Sequence, residues 1–210
     1  MADEKTMKIA IIGTGNVGGS LAQNWASKGH KVNLGVRDLD NFKGKELLEI
    51  PNISAHSIAD AVAMSDVILI AATPPATQSI AEQVGDVSEK VIIDAMNTVR
   101  VRPEPYTNTF EALKAWTNCP DIVKCFNTTG FENMATPQYP DAAIDMFMAG
   151  SSAKGKAVAR QLALDAGFAE CHDFGGDDKI TLIENFAMAW INLAMMQGQG
   201  RRFGFKILRR

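Results

Sequence analysis

The stretch from Lys8 to His30, KIAIIGTGNVGGSLAQNWASKGH, constrains the fold more than any other part of the chain. Lys8–Ile12 is a short apolar run, the pattern of a strand buried on both faces. Gly13, Gly15 and Gly18 follow in G-x-G-x-x-G spacing, and Ser20–Lys28 reads as a helix with Leu21 and Trp25 on one face. A second apolar run, Lys31–Val36, comes next. Strand, glycine turn, helix and strand in this order predict a dinucleotide-binding unit. Gly13 permits the tight turn out of the strand. Gly15 lets the backbone approach a pyrophosphate, and Gly18 lets the helix pack closely on the strand. Amides of the first helical turn, near Asn16 and Val17, then point at the phosphates with the helix dipole behind them.

The identity of the dinucleotide turns on the end of the second strand. NAD-specific sites carry an Asp or Glu there to receive the ribose hydroxyls. Here Gly35 and Val36 hold that place, and Arg37 follows at once. A guanidinium can stack on adenine and bind a 2′-phosphate, so the stretch predicts NADP. Asp38 would repel that phosphate unless it turns away as a helix N-cap. Lys43 and Lys45 read as solvated loop lysines that could add positive charge.

Beyond this unit, short apolar runs alternate with helical patterns. Ile53–Ala55, Val67–Ala71, Val91–Asp94, Ile122–Phe126, Asp145–Ala149 and Glu170–Phe174 read as strands. Ile58–Met64, Ala76–Val84, Phe110–Trp116 and Ala153–Ala166 read as helices, and 98–109, with Pro103 and Pro105, as a loop. The pattern predicts an α/β, Rossmann-type doubly wound, mainly parallel sheet with a short helical C-terminal appendage. Its expected division is a flexible tail over 1–6, an NADP-binding domain over 7–150, and a strand and helix appendage over 151–210 that completes the same unit. In open parallel sheets, ligands lie beyond the carboxyl ends of the strands. Thr73 and Pro74, and then Ala95, Met96 and Asn97, are therefore expected beside the nicotinamide. The last long element, Lys179–Met196, carries a methionine and aromatic stripe that reads as core or as a dimer interface.

A net charge of −3 gives no reason to expect nucleic acid or an anionic membrane as partner. No apolar run reaches the length of a membrane span, and MADEKTMK lacks an apolar signal core, which predicts a cytoplasmic protein. Cys119, Cys125 and Cys171 read as buried free thiols. None of the three histidines reads as a catalyst: His30 sits at a turn remote from the cofactor end of the sheet, His56 lies on the adenine side, and His172 has no obvious partner. Tyr106 and Tyr139 lack a lysine four residues on, and no acidic nest suggests a metal. Lys124 falls mid-strand, where a structural or exposed role is expected. No residue is assigned as catalytic. Reducing a ketone usually calls for a placed proton donor. Hydride exchange between two aromatic redox cofactors needs mainly alignment and exclusion of water.

Together, KIAIIGTGNVGGSLAQNWASKGHKVNLGVRD, AATPP, VIIDAMNT, VKCFNTTGFENM and MMQGQGRRFGFKIL resemble the NADP-dependent coenzyme F420 (deazaflavin) reductase family. The N-terminal domain of the membrane ferric reductases of the six-span epithelial antigen type is similar. The resemblance implies hydride transfer between NADP(H) and a deazaflavin- or flavin-like acceptor. It places pyrophosphate at Thr14, Gly15, Asn16 and Val17, and the 2′-phosphate at Arg37, with Val36 where the family has serine. It places the acceptor at Asn127, Thr128 and Thr129, where the family has a His-Thr-Ile-Pro turn. Two other functions fit the same cofactor site: an NADP-binding redox sensor without turnover, and an imine or small-carbonyl reductase. A homodimer is expected.

Overall fold

A computed structural model describes residues 6–99 and 101–210; the expected tail, 1–6, lies outside them except for Thr6. One sheet of eight strands organises the chain, in the spatial order β3-β2-β1-β4-β5-β6-β7-β8. Its strands are β1 (Lys8–Ile12), β2 (Lys31–Val36), β3 (Ile53–Ser57), β4 (Val67–Ile70), β5 (Val91–Asp94), β6 (Asp121–Cys125), β7 (Met146–Ala149) and β8 (Cys171–Asp173). All neighbouring pairs are parallel except β6 and β7. The first six strands follow the 3-2-1-4-5-6 order of the doubly wound nucleotide-binding fold. β4 and β5 are buried along their length and β1 from Ile9 onward, as their Ile/Val/Leu-rich runs require when helices cover both faces.

The helices are α1 (Asn16–Ser27), α2 (Ile58–Ala63), α3 (Thr77–Gln83), α4 (Thr109–Trp116), α5 (Phe131–Ala135), α6 (Ala153–Asp165) and α7 (Ile180–Ile191). Two apolar layers sandwich the sheet. One joins Trp25, Leu21, Phe126 and Leu162 across α1, β6 and α6; the other joins Ile58, Ile80, Phe110 and Ile183 beneath α2, α3, α4 and α7.

Several sequence expectations need correction. The first helix begins at Asn16, four residues before the expected Ser20, because Gly15 already serves as its N-cap and the glycines continue inside the helix. The final element is three pieces in series: a 3-10 turn at Asp177–Lys179, α7, and a π turn at Asn192–Met196. Residues 197–210 form no helix or strand; they run back over the fold, and Phe203 stacks on Trp190 with ring centroids 5.5 Å apart. His172, expected to lack a partner, sits 2.9 Å from Asp145. His30 bridges strand and helix: its Nε2 lies 3.0 Å from Asp165, and its Nδ1 accepts the Met7 N–H at 3.0 Å.

All three cysteines are free and buried. The Cys125 and Cys171 sulfurs approach to 3.9 Å, and burial pushes the Cys125 thiol well above its ordinary range, which keeps it protonated and unreactive.

Candidate active site

The turn between β1 and α1 is built so tightly that side chains are excluded at two of its glycines. Gly13 has φ +98°, and a Cβ there would lie 2.5 Å from the Ala71 carbonyl oxygen. A Cβ on Gly18 would lie 2.0 Å from the Gly13 carbonyl oxygen, so α1 can lie against the turn only with hydrogen at that position. Gly15 differs: a Cβ there would meet nothing within 4 Å. Open space at Gly15 lies directly over the start of α1, which has no side-chain cap and no acidic residue in its first turn. An uncapped, positive helix end facing free space suits a pyrophosphate.

Around this turn stand groups the sequence reading placed only in part. Arg37 is exposed at the end of β2. Asp38 does turn away, but as the acceptor of its own turn and not as a helix cap: Oδ1 takes the N–H groups of Asp40 at 2.9 Å and Asn41 at 3.2 Å. Lys43 is no free loop lysine. Its Nζ donates to Asn16 Oδ1 at 2.9 Å, its carbonyl accepts the Thr14 hydroxyl, and its charge therefore sits beside the glycine turn. Lys45 instead donates to the Asp40 carbonyl at 2.8 Å.

The carboxyl ends of the next strands supply the other half of the crevice. Thr73 is exposed and Pro74 half-buried after β4, while Ala95 and Met96 are buried after β5. Asn97 and Asn127, at the ends of β5 and β6, clasp each other. Asn97 Nδ2 donates to the Asn127 carbonyl at 2.7 Å, and Asn127 Nδ2 donates to Asn97 Oδ1 at 3.0 Å. Phe126, a bulky residue at φ +61°, makes the bend that turns Asn127 back toward Asn97. That conformation costs about 1–3 kcal/mol and persists where packing over-determines it. Phe126 is wedged edge-on against Trp25, at 5.5 Å between centroids. Asn127 Oδ1 is left buried without a hydrogen-bond donor. Thr128 is buried and directed at the Met146 sulfur, and Thr129 accepts from Asn133 Nδ2 at 2.7 Å.

A cleft of about 440 Å³ opens beyond β5, within the range of small-molecule sites. Asn97, Thr98 and Arg102 line one side; Thr181, Glu184 and Met188 of α7 line the other. Beneath it lies a buried ionic cluster that the sequence reading missed. Lys124 is fully buried, and its Nζ donates to Asp94 Oδ2 at 3.0 Å, Thr109 Oγ1 at 3.1 Å and Glu184 Oε1 at 2.5 Å. Asp94 and Lys124 are direct neighbours in the register of β5 and β6. Asp94 also accepts the Thr109 hydroxyl at 2.6 Å and the Met96 N–H at 2.9 Å. Glu184 closes the cluster toward the cleft, where Oε2 accepts the Thr98 hydroxyl. Two signals in the sequence pointed here: a lysine inside the apolar run DIVKC, and a glutamate within the apolar stripe of the last helix.

These features test whether NADP fits. Along the crevice, Arg37 can receive a 2′-phosphate, the space at Gly15 and the uncapped α1 end a pyrophosphate, and the unpartnered Asn127 acceptor an amide donor. The residues fit.

Comparison with known proteins agrees. Residues 8–98 match the family described as NADP oxidoreductase, coenzyme F420-dependent. A solved structure from Arthrobacter sp. FB24, proposed to be an F420-dependent NADP-reductase, superposes with a TM-score of 0.82 at 25% identity, over 97% of this chain and 100% of that one. A reductive aminase from Aspergillus terreus, in complex with NADPH and ethyl-5-oxohexanoate, matches with a TM-score of 0.68 at 18% identity, over 92% of this chain and 64% of that one. An imine reductase from Streptomyces aurantiacus matches at 0.67 and 14%, over 90% and 63%. The last two likenesses establish the fold alone.

Fold and matches define an NADP-dependent oxidoreductase of the Rossmann type, with NADP as its cofactor. Within that class, residues 8–98, under half of the chain, resemble the coenzyme F420-dependent NADP oxidoreductases. No helix among the described residues is long and apolar enough to cross a membrane.

Proposed function

We propose that the protein transfers hydride between NADP(H) and a deazaflavin- or flavin-like acceptor held in the cleft beyond β5. The cleft itself carries this reading: it opens at Asn97 and Thr98, where a nicotinamide laid along the crevice from Gly15 would end. In this reading Gly13, Thr14, Gly15, Asn16, Val17 and Gly18 hold the pyrophosphate, with Val36 and Arg37 around the adenosine phosphate. Thr73, Pro74, Ala95, Met96 and Asn97 pack the nicotinamide, and Asn127 and Thr129 border the acceptor, with buried Thr128 supporting their turn from behind. Bound there, NADPH supplies the hydride. The chain's part is to align the two rings and exclude water between them. The likeness to the Arthrobacter structure, proposed to be an F420-dependent NADP-reductase, supports this acceptor.

The test is NADPH oxidation against a panel of coenzyme F420, FMN, FAD, riboflavin and quinones. Rapid oxidation with a deazaflavin or flavin supports the reading. Tight NADPH binding without turnover on any of them favours a redox sensor.

R37A should lower the preference for NADPH over NADH at least tenfold, about 1.4 kcal/mol, by removing the charge opposite the 2′-phosphate. Steady-state kinetics with both cofactors measures it, and an unchanged ratio would refute the arginine's role. The exposed apolar side chains Leu182, Met188, Met195 and Met196, on α7 and the turn after it, support the homodimer reading. Sedimentation equilibrium should then give twice the chain mass; a monomer at micromolar concentration would refute it.

A further inference from the structure

Resting on the hydride-transfer reading, we infer that Glu184, acting through the Thr98 hydroxyl and held in place by buried Lys124, exchanges the proton that accompanies hydride transfer in the cleft. The observations are geometric. Glu184 is the carboxylate lining the cleft, and its two oxygens have separate duties. Oε1 faces inward to Lys124 Nζ at 2.5 Å, and Oε2 faces the cleft wall and accepts the Thr98 hydroxyl. Thr98 itself lines the cleft next to Asn97, where the reacting rings would meet.

Charge counting explains why this carboxylate can take up a proton. Lys124 contributes one positive charge, against one negative charge each from Asp94 and Glu184. The buried cluster therefore carries one excess negative charge, which a proton on Glu184 Oε2 cancels. Among the described residues, Arg102 is the other charged group lining the cleft. Lys124 cannot leave, because Asp94 and Thr109 hold its remaining hydrogen-bonding positions.

When the reduced acceptor gives up hydride, two electrons leave with it and NADP+ is reduced. The acceptor's N–H or O–H bond then breaks, and its proton bonds to Thr98 Oγ1. Thr98's own O–H bond breaks as that proton passes to Glu184 Oε2. From there it leaves to water at the cleft mouth. In the opposite direction the same pair returns the proton as the acceptor is reduced. Lys124 is a positioning residue in this scheme, since it touches neither acceptor nor cofactor.

The experiment compares wild type, E184Q, E184D and T98V with NADPH and either coenzyme F420 or FMN, in both directions. Glutamine keeps the size of Glu184 and a hydrogen bond to its neighbours, and T98V leaves the ionic cluster intact. Calorimetry gives the dissociation constants for NADPH and for the acceptor. E184Q and T98V should each lower kcat about 100-fold, the lower end of the usual acid–base contribution, with both dissociation constants within threefold of wild type. E184D should recover part of the rate. A kcat within threefold of wild type in either variant would overturn the inference and leave the hydride-transfer reading standing. A fall in kcat matched by an equal loss of binding would assign Glu184 a structural role and also overturn it. Wild type without turnover on either acceptor would overturn the hydride-transfer reading and this inference with it.

Discussion

K124M should destabilise the protein by about 3–5 kcal/mol, the cost of removing one partner from a buried ion pair and leaving the other uncompensated. The abandoned partner is Asp94, which is fully buried between β5, β6 and α4 and would retain only the Thr109 hydroxyl and Met96 N–H as donors. Glu184 has partial access to water and suffers less, so the loss concentrates on Asp94. The double variant D94N/K124M should therefore recover much of the stability, because it removes both charges. Urea denaturation of the three proteins measures this. Loss below about 1 kcal/mol in K124M, or no recovery in the double variant, would show that the cluster is not held by charge pairing.

The second large effect separates two glycines that look alike in sequence. G18A puts a methyl 2.0 Å from the Gly13 carbonyl oxygen and 3.1 Å from the Ile11 side chain, so α1 must lift from the turn. Both thermal stability and NADPH binding should fall, the latter at least 100-fold, about 2.7 kcal/mol. G15A introduces no clash with the protein, and its φ of −72° is one that alanine adopts readily. It should leave the melting temperature within about 2 °C, since no named destabilising mechanism applies. NADPH affinity should still fall at least tenfold, about 1.4 kcal/mol, because the methyl occupies the space of the pyrophosphate. Differential scanning fluorimetry with and without NADPH reads both quantities. A G15A protein that binds NADPH like wild type would move the phosphate site away from this turn.

The contrast between those glycines shows what was legible beforehand. Strand, glycine turn, helix and strand within 8–36 identify a parallel nucleotide-binding sheet, because buried apolar runs and obligatory glycines have few other uses. Arg37 at the end of β2 is equally readable, since its position is counted along a known unit. The exact start of α1 was not, because glycine lowers helix propensity and Val17-Gly18-Gly19 inside a helix runs against it; close packing overrides that preference. Nor was the partnership of Asp94, Thr109, Lys124 and Glu184. Their separations of 15 to 90 residues close only when α4 and α7 dock against β5 and β6. What the sequence does hold is the misplacement itself: a lysine in a buried strand must be paired somewhere. The fifth helix, Phe131–Ala135, is a single short turn after Gly130 and too brief for a periodic signal.

The most direct test of the central claim uses NADPH deuterated at C4 of the nicotinamide and coenzyme F420 as acceptor. Direct hydride transfer between aligned rings predicts deuterium on carbon in the reduced deazaflavin, from one face of the nicotinamide only, by mass spectrometry. Reduced deazaflavin without carbon-bound deuterium, or label from both faces alike, would contradict the account.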